Sequence, residues 1–339
     1  MGLASMSTAR TVILIPMFND WDAAALLLRD LDQALADSPL QAEVLFIDDG
    51  SSQPMPEQFA SGRFQALHAV DILHLRRNLG HQRAIAVGLV HVYQKIHCRA
   101  VIVMDADGED RPGDIPALLK KFDELGGRSI VFAARAKRLE SPLFRVLYRV
   151  YRMVHWLLTG DPVRVGNFSI VPFEMLDRLV VVPEIWNHYA AAVIRSRLRF
   201  ETIPISRGRR LAGKSKMNFI TLLLHGLSAF FVYGDIVGAR LLVAIALALI
   251  LEMIAVAIGV SVRFAPSPNF LTLAVYLAAV LGIILLQAIP IALILVFTVV
   301  GRSNVGFLPI RDCPYFVSSV ERVFPAPETR GIMAFASQP

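Results

Sequence analysis

The first half of the chain alternates short apolar runs with longer amphipathic stretches, and this alternation constrains the fold more than any other feature. Runs rich in β-branched residues predict five strands, at Thr11–Pro16, Glu43–Ile47, Val70–Leu75, Ala100–Met104 and Ser129–Ala134. Apolar residues at helical spacing predict three helices, at Asp20–Ala36, from His81 to about Lys95, and at Pro112–Leu125. Strands that alternate with helices indicate an α/β fold with a mainly parallel sheet covered on both faces.

The fourth predicted strand runs directly into two carboxylates, Asp105 and Asp107, followed by Gly108. Side chains alternate along an extended backbone, so the two aspartates can project in the same direction. Neighbouring carboxylates repel each other unless a proton or a cation lies between them. An all-oxygen pair of this kind suits Mg²⁺ or Mn²⁺ shared with the phosphates of a ligand. A lone Asp-x-Asp can equally be a polar turn at a strand end, so the interpretation depends on the residues around it.

Polar or charged residues follow the other predicted strands as well. The carboxyl ends of parallel strands meet at one edge of a sheet, where such sheets bind ligands, so the fold would collect these residues on one rim: Asp48, Asp49, Asn78, Asp105, Asp107 and Arg135. Each has a structural alternative. Asp49-Gly50 is a common turn dipeptide, Asn78 could cap a helix, and Arg135 could be a solvated cation. Their occurrence at four successive strand ends favours a binding site.

The composition indicates a soluble domain joined to a membrane segment. The chain has 339 residues, 55% hydrophobic and 18% charged, with a mean hydropathy of +0.53, which fits neither an ordinary soluble enzyme nor a pure membrane bundle. Its net charge of +6 suits nucleic acid or an anionic membrane face. Cys98 and Cys313 form no metal-binding motif, so we expect neither a disulfide nor a zinc site. Met1–Arg10 lacks an apolar core, so we expect no signal peptide.

Two apolar stretches in the last third of the chain predict transmembrane helices. Leu241–Val262 can cross a hydrocarbon core of about 30 Å, and Phe270–Val300 is longer and contains Pro290. Two spans form a hairpin, and the basic segments before the first span place the N-terminal domain and the tail from Gly301 on the cytoplasmic side. Glu252 lies within the first span and is expected to pair between spans or subunits, proton coupling being the alternative.

Two basic segments precede these spans. Arg135–Arg152 carries six basic residues against one acid, and from Leu143 to Leu158 arginines alternate with aliphatic and aromatic residues. This pattern is typical of an amphipathic helix on a membrane surface; nucleic acid is the alternative, but no recognition motif is present. Arg195–Lys216 carries eight basic residues against one acid, which suits binding of a phosphate group or a stop-transfer cluster. Met217–Phe231 predicts a second interfacial helix.

Four motifs resemble, in order and spacing, those of the family 2 glycosyltransferases: Pro16-Met17-Phe18-Asn19-Asp20, Ile47-Asp48-Asp49-Gly50-Ser51, Arg77-Asn78-Leu79-Gly80 and Met104-Asp105-Ala106-Asp107. The resemblance covers about Thr11 to Val300 and is closest to the branch that transfers sugars to polyprenyl or dolichyl phosphate, as dolichol-phosphate mannosyltransferases do. It implies a nucleotide-diphospho-sugar transferase fold of the GT-A type. Relatives carry Gln at the position of Glu109, and many carry Gly-Asp-Phe-Arg at the position of Gly166-Asn167-Phe168-Ser169.

The resemblance also implies roles for individual residues. Contacts to the nucleotide sugar are expected from Pro16, Phe18, Asp20, Asp48, Asp49, Ser51, Asn78, Gly80, Asp105 and Ala106. The ligands of Mg²⁺ or Mn²⁺ would be Asp105, Asp107 and Glu109. The acceptor phosphate would meet Arg135, Arg145, Arg149, Arg210, Ser215 and Lys216. The residues expected to act in catalysis are Asp107, Arg135 and Lys214.

We therefore expect an inverting glycosyltransferase that joins a sugar from a nucleotide-diphospho-sugar to undecaprenyl or dolichyl phosphate. It would act at the cytoplasmic face of the inner membrane, without nucleic acid, and the hairpin invites association into homo-oligomers. A lipid phosphate is largely ionised near neutral pH, its second pKa being about 6, so it needs no strong general base. The alternatives are another lipid or a polysaccharide as acceptor, or a catalytically silent nucleotide-binding scaffold. The predicted domains are 1–215 (catalytic), 216–235 (interfacial helix), 236–300 (hairpin) and 301–339 (tail).

Overall fold

The computed structural model describes residues 10–38, 40–60, 62–135, 149, 153–160, 165–206, 208–212, 232–261, 268–304 and 306–325. The chain divides into two compact units. The first holds the described residues up to 135, from 165 to 212 and from 308 to 325, and the second holds those from 149 to 160 and from 232 to 307. Four predicted site residues and one predicted helix lie outside the described residues: Arg145, Lys214, Ser215, Lys216 and the helix at Met217–Phe231.

The first unit is built on an eight-stranded sheet flanked by helices. Its strands are β1 (Thr11–Met17), β2 (Ala42–Asp48), β3 (Leu67–Leu75), β4 (Ala100–Val103), β5 (Ile130–Arg135), β6 (Ser169–Pro172), β7 (Phe200–Ile205) and β8 (Val317–Phe324). Its helices are α1 (Trp21–Leu35), α2 (His81–Lys95), α3 (Ile115–Glu124), α4 (Phe173–Leu179) and α5 (Tyr189–Arg195), followed after the second unit by the short α8 (Pro309–Asp312). The five predicted strands and three predicted helices are all present.

The strand order in the sheet is β7-β5-β6-β4-β1-β2-β3-β8. Four pairs are parallel, namely β1 with β2, β1 with β4, β2 with β3, and β5 with β7. Three pairs are antiparallel, because β6 runs opposite to β4 and β5, and β8 runs opposite to β3. Since β6 separates β4 from β5, those two strands point the same way. The mainly parallel α/β sheet is therefore confirmed.

The core of this unit follows from the apolar pattern of the sequence. All seven residues of β1 are buried, as expected for a central parallel strand. Helix α1 packs Ala24, Leu27, Leu28, Leu31 and Leu35 into the same core, at spacings of three and four residues that place them on one helix face. Burying each of the large side chains contributes about 1.5–3 kcal/mol relative to leaving it exposed.

Three strands of the sheet are not predicted by the sequence pattern. Strand β6 has only four residues, too few for a periodic signal, and β7 is mostly exposed. Strand β8 comes from the segment assigned to the tail, and the described residues from 308 to 325 belong to the compact unit of the sheet. Strands β6 and β7 matter for the site, because they bring Asn167 and residues 208–212 to the sheet edge that carries the aspartates.

The second unit contains the two long apolar helices, α6 (Gly234–Ser261) and α7 (Pro268–Asn304). Gly234–Ile254 has a mean hydropathy of 2.3 and Tyr276–Ile294 one of 2.6, so both helices are long and apolar enough to cross a membrane. Their large side chains are exposed, as at Met253, which is 72% exposed. The helices pack against each other as a hairpin, and the carboxylate of Glu252 lies against Gly282 of the facing helix.

Helical residues 153–159 belong to the same unit and lie in the predicted amphipathic segment. Met153, Trp156 and Leu157 are exposed there, whereas His155 and Thr159 are buried. The Thr159 hydroxyl donates to the His155 carbonyl oxygen at 2.8 Å, and Arg240 of α6 donates to the Leu157 carbonyl oxygen at 2.9 Å. This segment therefore presents apolar side chains outward, as an interfacial helix does.

Candidate active site

The candidate site lies along the rim formed by the carboxyl ends of β1 to β5. Pairing of Met17 with Asp48 and of Asp48 with His74 brings the ends of β1, β2 and β3 level with one another. Because β6 is antiparallel, its first residue, Ser169, pairs with Val103 at the end of β4, and Asn167 therefore arrives at this rim. Strand β7 is parallel to β5, with Arg135 beside Ile205, so the segment after β7 starts there too.

Asp49 joins two of the motifs through backbone hydrogen bonds. Its side chain is 3% exposed, and its two oxygens accept the backbone N–H groups of Leu79 at 2.7 Å and of Gly80 at 2.8 Å. Burial raises the pKa of Asp49, while these two N–H donors lower it in part. Gly50 has φ +69°, and a Cβ there would lie 2.7 Å from the carbonyl carbon of Arg77. The Asp49-Gly50 turn thus fixes the Arg77–Gly80 loop against the end of β2.

Asp48 and Ser51 organise the neighbouring turn. One carboxylate oxygen of Asp48 accepts the Ser51 backbone N–H at 2.9 Å, and the other lies 2.9 Å from Nδ1 of His74. Nε2 of His74 is 3.6 Å from Glu321 of β8. The Ser51 hydroxyl accepts the backbone N–H of Asn19 at 2.8 Å, and this contact ties the turn to the end of β1. Contacts of Asp48, Asp49 and Ser51 with a nucleotide stay predictions.

The Asp-x-Asp turn is held by its own backbone. The Asp105 N–H donates to Asp110 at 3.0 Å, and the Glu109 N–H donates to Asp107 at 3.0 Å. The side chains of Asp105 and Asp107 remain 26% and 22% exposed. Burial raises the pKa of Asp107, and the nearby carboxylates of Asp105 and Glu109 raise it further. Negative charges are therefore concentrated at the position where the sequence predicts a bound cation.

Arg210 bridges two carboxylates of the rim. Its guanidinium donates to Asp107 at 3.1 Å and to Asp20 at 3.2 Å. The segment around it is fixed by backbone hydrogen bonds to the Asp-x-Asp turn, from Leu211 N–H to the Asp107 carbonyl oxygen at 2.9 Å and from Gly208 N–H to the Glu109 carbonyl oxygen at 2.8 Å. Arg210 was assigned to the acceptor phosphate, and the structure places it beside the predicted metal ligand Asp107.

His81 is a rim residue that the sequence pattern does not single out. Its Nε2 lies 3.1 Å from an oxygen of Asp105 and 2.9 Å from the side-chain nitrogen of Asn167. Burial lowers the pKa of His81, but the carboxylates of Asp105, Asp110 and Asp107 outweigh it, and the net pKa is raised. The one available signal was its position directly after Gly80, at the first residue of α2.

The remaining predicted site residues are dispersed. Pro16 and Ala106 are buried, Phe18 and Asn78 are exposed, and Arg135 is the last residue of β5. Arg149 is exposed and belongs to the second unit. The structure thus brings together Asp20, Asp48, Asp49, Ser51, Gly80, Asp105, Asp107 and Arg210 through the contacts described above.

The residues at this rim fit a divalent cation in part. Asp105 and Asp107 provide hard oxygen donors, and their mutual repulsion, which raises the pKa of Asp107, would be relieved by a cation. Within the described ranges, no three His, Cys, Asp or Glu side chains are grouped so as to hold a metal. The protein would therefore supply only part of the coordination shell, as is usual for Mg²⁺ bound together with phosphates and water.

Comparison with known proteins gives a family match over about half of the chain. Residues 12–180 match the family model described as glycosyl transferase family 2. An undecaprenyl-phosphate 4-deoxy-4-formamido-L-arabinose transferase from Klebsiella pneumoniae (strain 342) is 30% identical over 222 residues, covering 62% of this chain and 63% of the relative. The transferase of the same name from Salmonella choleraesuis (strain SC-B67) is 27% identical over 223 residues, with the same coverage. The match thus spans less than two thirds of these curated relatives.

The fold is also similar to that of solved structures. Glucosyl-3-phosphoglycerate synthase from Mycobacterium tuberculosis, in complex with Mn²⁺, uridine-diphosphate-glucose and phosphoglyceric acid, superposes with a TM-score of 0.50 at 15% identity, over 68% of this chain and 80% of that chain. At this identity the likeness extends to the fold alone. Together with the family match, it confirms the predicted α/β fold of the GT-A type.

Proposed function

We propose that this chain, which belongs to glycosyl transferase family 2, transfers a sugar from a nucleotide-diphospho-sugar to the phosphate of a polyprenyl phosphate, with inversion at the anomeric carbon. The observation that carries the proposal is the pair Asp105 and Asp107 at the strand ends, with Arg210 beside it. The names of the relatives support a lipid phosphate as the acceptor. Undecaprenyl and dolichyl phosphates present the same reacting group, so the chemistry below applies to both.

Asp105 and Asp107 would hold Mg²⁺ or Mn²⁺, with Glu109 as a further candidate ligand. Such an ion offsets the charge that develops on the diphosphate as it leaves. The nucleotide would lie along the ends of β1, β2 and β3, where Asp48, Asp49, Ser51 and the Asn78–Gly80 loop are held together. Because the oxygens of Asp49 already accept two backbone N–H groups, its main contribution would be to fix the loop that the nucleotide meets.

The reaction needs one displacement. An oxygen of the acceptor phosphate attacks the anomeric carbon, the bond from that carbon to the diphosphate oxygen breaks, and the nucleoside diphosphate leaves with the electron pair. A phosphate monoester is ionised near neutral pH, with a second pKa of about 6, so no side chain has to remove a proton. The protein's role is to position two anionic reactants and to offset their charge.

Cationic side chains would receive the acceptor phosphate. Arg135, at the end of β5, is the described candidate on the rim; Arg149 lies in the second unit, and Arg145, Lys214, Ser215 and Lys216 lie outside the described residues. Arg210 pairs with Asp107 and Asp20, and this position on the rim supports a role in offsetting charge between the diphosphate and the acceptor phosphate. We propose Asp107, Arg135 and Lys214 as the residues that act in catalysis.

The protein would act at a membrane surface. The two apolar helices support two spans in the inner membrane, and the basic segments before them support a cytoplasmic catalytic unit. We retain the proposed boundaries at 215, 235 and 300 for the catalytic domain, interfacial helix and hairpin. The described residues of the tail are assigned to the catalytic unit, because β8 pairs with β3.

The test uses membranes that contain the full-length protein, polyprenyl phosphate, Mg²⁺ or Mn²⁺, and a panel of labelled nucleotide sugars. We expect label from one sugar to become extractable with the lipid, and Asp107→Ala to abolish this transfer. Asp22→Ala, at an exposed position of α1, is the matched control and should transfer normally. Label in another lipid or in a polysaccharide would identify a different acceptor. Full activity of Asp107→Ala would contradict the metal role.

A further inference from the structure

The carboxylate of Asp48 is held at both of its oxygens by the protein. One oxygen accepts the Ser51 backbone N–H at 2.9 Å, and the other lies 2.9 Å from Nδ1 of His74. Asp48 is only 6% exposed. The first contact belongs to the turn that follows β2, whereas the second comes from the neighbouring strand β3. A side chain from outside the turn therefore helps to set the orientation of this carboxylate.

The sheet places the ring of His74 between two carboxylates. His74 pairs in register with Asp48 of β2 on one side and with Ser319 of β8 on the other. Its Nε2 is 3.6 Å from Glu321 of β8, whose side chain is 54% exposed, and this distance exceeds that of a hydrogen bond. The contact with Asp48 is shorter and more buried, so it is the one that can fix a geometry.

The contact with Asp48 requires a hydrogen on Nδ1 of His74. An ionised carboxylate only accepts hydrogen bonds, and a bare Nδ1 would set its lone pair against the negative charge. The neutral ring with its hydrogen on Nδ1 and the doubly protonated ring both donate from this nitrogen. The contact therefore holds whether or not His74 is charged, and hydrogen bonds to an ionised acceptor are the stronger kind.

The fixed carboxylate still has acceptor capacity for a ligand. Two carboxylate oxygens offer about four acceptor positions, and the contacts with Ser51 and His74 use two of them. The others can meet an N–H group of a nucleobase or an O–H group of a ribose. Because the two contacts fix the rotation of the carboxylate, the direction of its remaining acceptors is set before a ligand binds, and a preorganised group of this kind binds more tightly.

We propose that His74 is a positioning residue of the nucleotide site, whose Nδ1–H holds the Asp48 carboxylate in the orientation that accepts a hydrogen bond from the nucleoside. The inference rests on the proposed function, and it adds a residue that lies outside the four sequence motifs. It restricts the effect of His74 to the nucleoside part of the sugar donor, because the diphosphate would be bound at Asp105 and Asp107.

The experiment is isothermal titration calorimetry of the purified full-length protein in detergent with Mg²⁺. UDP, GDP, ADP and CDP are compared, and the one that binds the wild type most tightly is the probe. We expect His74→Leu to raise its dissociation constant about 10-fold, the scale of one hydrogen bond to a charged group. Pyrophosphate, which has no nucleoside, should bind with unchanged affinity, and an equal loss for pyrophosphate would overturn the inference. His68→Leu, the same change at an exposed position of β3, is the matched control.

Two polar replacements locate the donor on the ring. The amide nitrogen of asparagine can take the position of Nδ1, whereas that of glutamine reaches the position of Nε2, toward Glu321. His74→Asn should therefore bind the probe nearly as the wild type does, and His74→Gln should lose as much affinity as His74→Leu. Equal binding by these two variants would overturn the inference. If His74→Leu fails to fold in a thermal-unfolding assay, the comparison of asparagine with glutamine still decides the question.

The effect of His74 must pass through Asp48. In an Asp48→Ala background, His74→Leu should change the dissociation constant of the probe no further. In the transfer assay, His74→Leu should raise KM for the nucleotide sugar and leave kcat nearly unchanged, as expected when binding common to the ground and transition states is lost. A full additional loss in the Asp48→Ala background, or a lower kcat at unchanged KM, would overturn the inference. A smaller loss with the 2′-deoxy form of the probe would identify the ribose 2′-hydroxyl as the donor, and an equal loss would exclude that hydroxyl.

The proposed function and this inference fail in different ways. If the wild type binds none of the four nucleoside diphosphates and transfers no labelled sugar, the proposed function is wrong and the inference falls with it. If the wild type binds a probe and transfers sugar, but His74→Leu binds that probe with unchanged affinity, the proposed function stands and the inference is overturned. A larger loss from Glu321→Gln than from His74→Leu would place the positioning role on β8 and overturn it as well.

Discussion

The sheet rim of the first unit and the apolar hairpin of the second are held in place by different kinds of interaction. On the rim, several polar side chains are fixed by hydrogen bonds, and Asp49, for example, accepts two backbone N–H groups. In the hairpin, large apolar side chains face outward, and the carboxylate of Glu252 lies against Gly282. The rim depends on hydrogen-bond geometry, whereas the hairpin depends on length, hydropathy and close backbone approach.

This difference predicts different responses to mutation. A small change on the rim leaves a buried donor or acceptor unpaired, which is costly where water is excluded. On the outer surface of the hairpin, replacing one apolar side chain by another should be tolerated. Sensitivity in the hairpin should be limited to the few positions where the two helices meet closely, such as Gly282.

The largest expected effect is at Arg210, where two rim carboxylates share one guanidinium. Arg210→Ala should reduce the rate constant of sugar transfer by about 100-fold, the usual scale for removing one preorganised charged donor. Arg209→Ala, at the exposed neighbouring residue, is the control and should keep most of the activity. Steady-state kinetics of both variants measure the difference. Equal activity would show that the rim tolerates substitution as the hairpin surface does.

A smaller effect is expected at Asp49, which links β2 to the Arg77–Gly80 loop. Asp49→Asn keeps the volume but replaces one acceptor oxygen with a donor, so one of the two N–H groups, of Leu79 or Gly80, loses its partner. The cost should be about 1–3 kcal/mol of unfolding free energy, partly offset because burial already disfavours the charged carboxyl and raises its pKa. Denaturant unfolding measures it, with Asp22→Asn as an exposed control. An unchanged midpoint would mean that the loop is held by other contacts.

The rim was predictable from the sequence where it depends on local pattern. Strands β1 to β5 follow from apolar runs, and Asp105 and Asp107 follow directly from the end of β4. Asp49 also has a structural role, because its carboxylate holds the Arg77–Gly80 loop, and its contact with a nucleotide stays a prediction. These inferences require only the local sequence and the assumption that the strands are parallel. They do not require the order of the strands in the sheet.

The remaining features of the rim depend on long-range pairing, which a local pattern does not contain. Arg210 reaches Asp107 across 103 positions of sequence because β7 pairs with β5. Asn167 reaches His81 across 86 positions because β6 is inserted antiparallel between β4 and β5. In the hairpin, by contrast, length and hydropathy suffice. The predicted span Leu241–Val262 corresponds to α6, which starts earlier, at Gly234, and ends at Ser261. The predicted span Phe270–Val300 lies inside α7.

A sharper comparison comes from the close approach of Glu252 to Gly282 in the hairpin. A Cβ at Gly282 would lie 3.2 Å from the Glu252 carboxylate, so Gly282→Leu should displace that carboxylate from the facing helix. We expect severalfold faster labelling of Glu252 by a hydrophobic carbodiimide, measured by mass spectrometry. Ala279→Leu, at an exposed position of the same helix, should leave the labelling rate unchanged. Similar rates in both variants would mean that close packing does not hold Glu252.

The smallest expected effect concerns the segment that returns from the hairpin to the sheet. Arg322 of β8 donates two hydrogen bonds to Asp71 of β3, at 2.8 and 2.9 Å, but its side chain is 46% exposed. Exposed ion pairs contribute about 0.2–1 kcal/mol, so a double-mutant cycle of Arg322→Ala and Asp71→Ala should give a coupling energy in that range. Unfolding in detergent measures it, and the coupling should shrink as salt is added. A coupling of several kcal/mol would mean that β8 is held to the sheet by this ion pair. A small value would leave the backbone pairing of β8 with β3 as the main attachment, and the geometry of hydrogen bonds would then govern the edge of the sheet as it governs the rim.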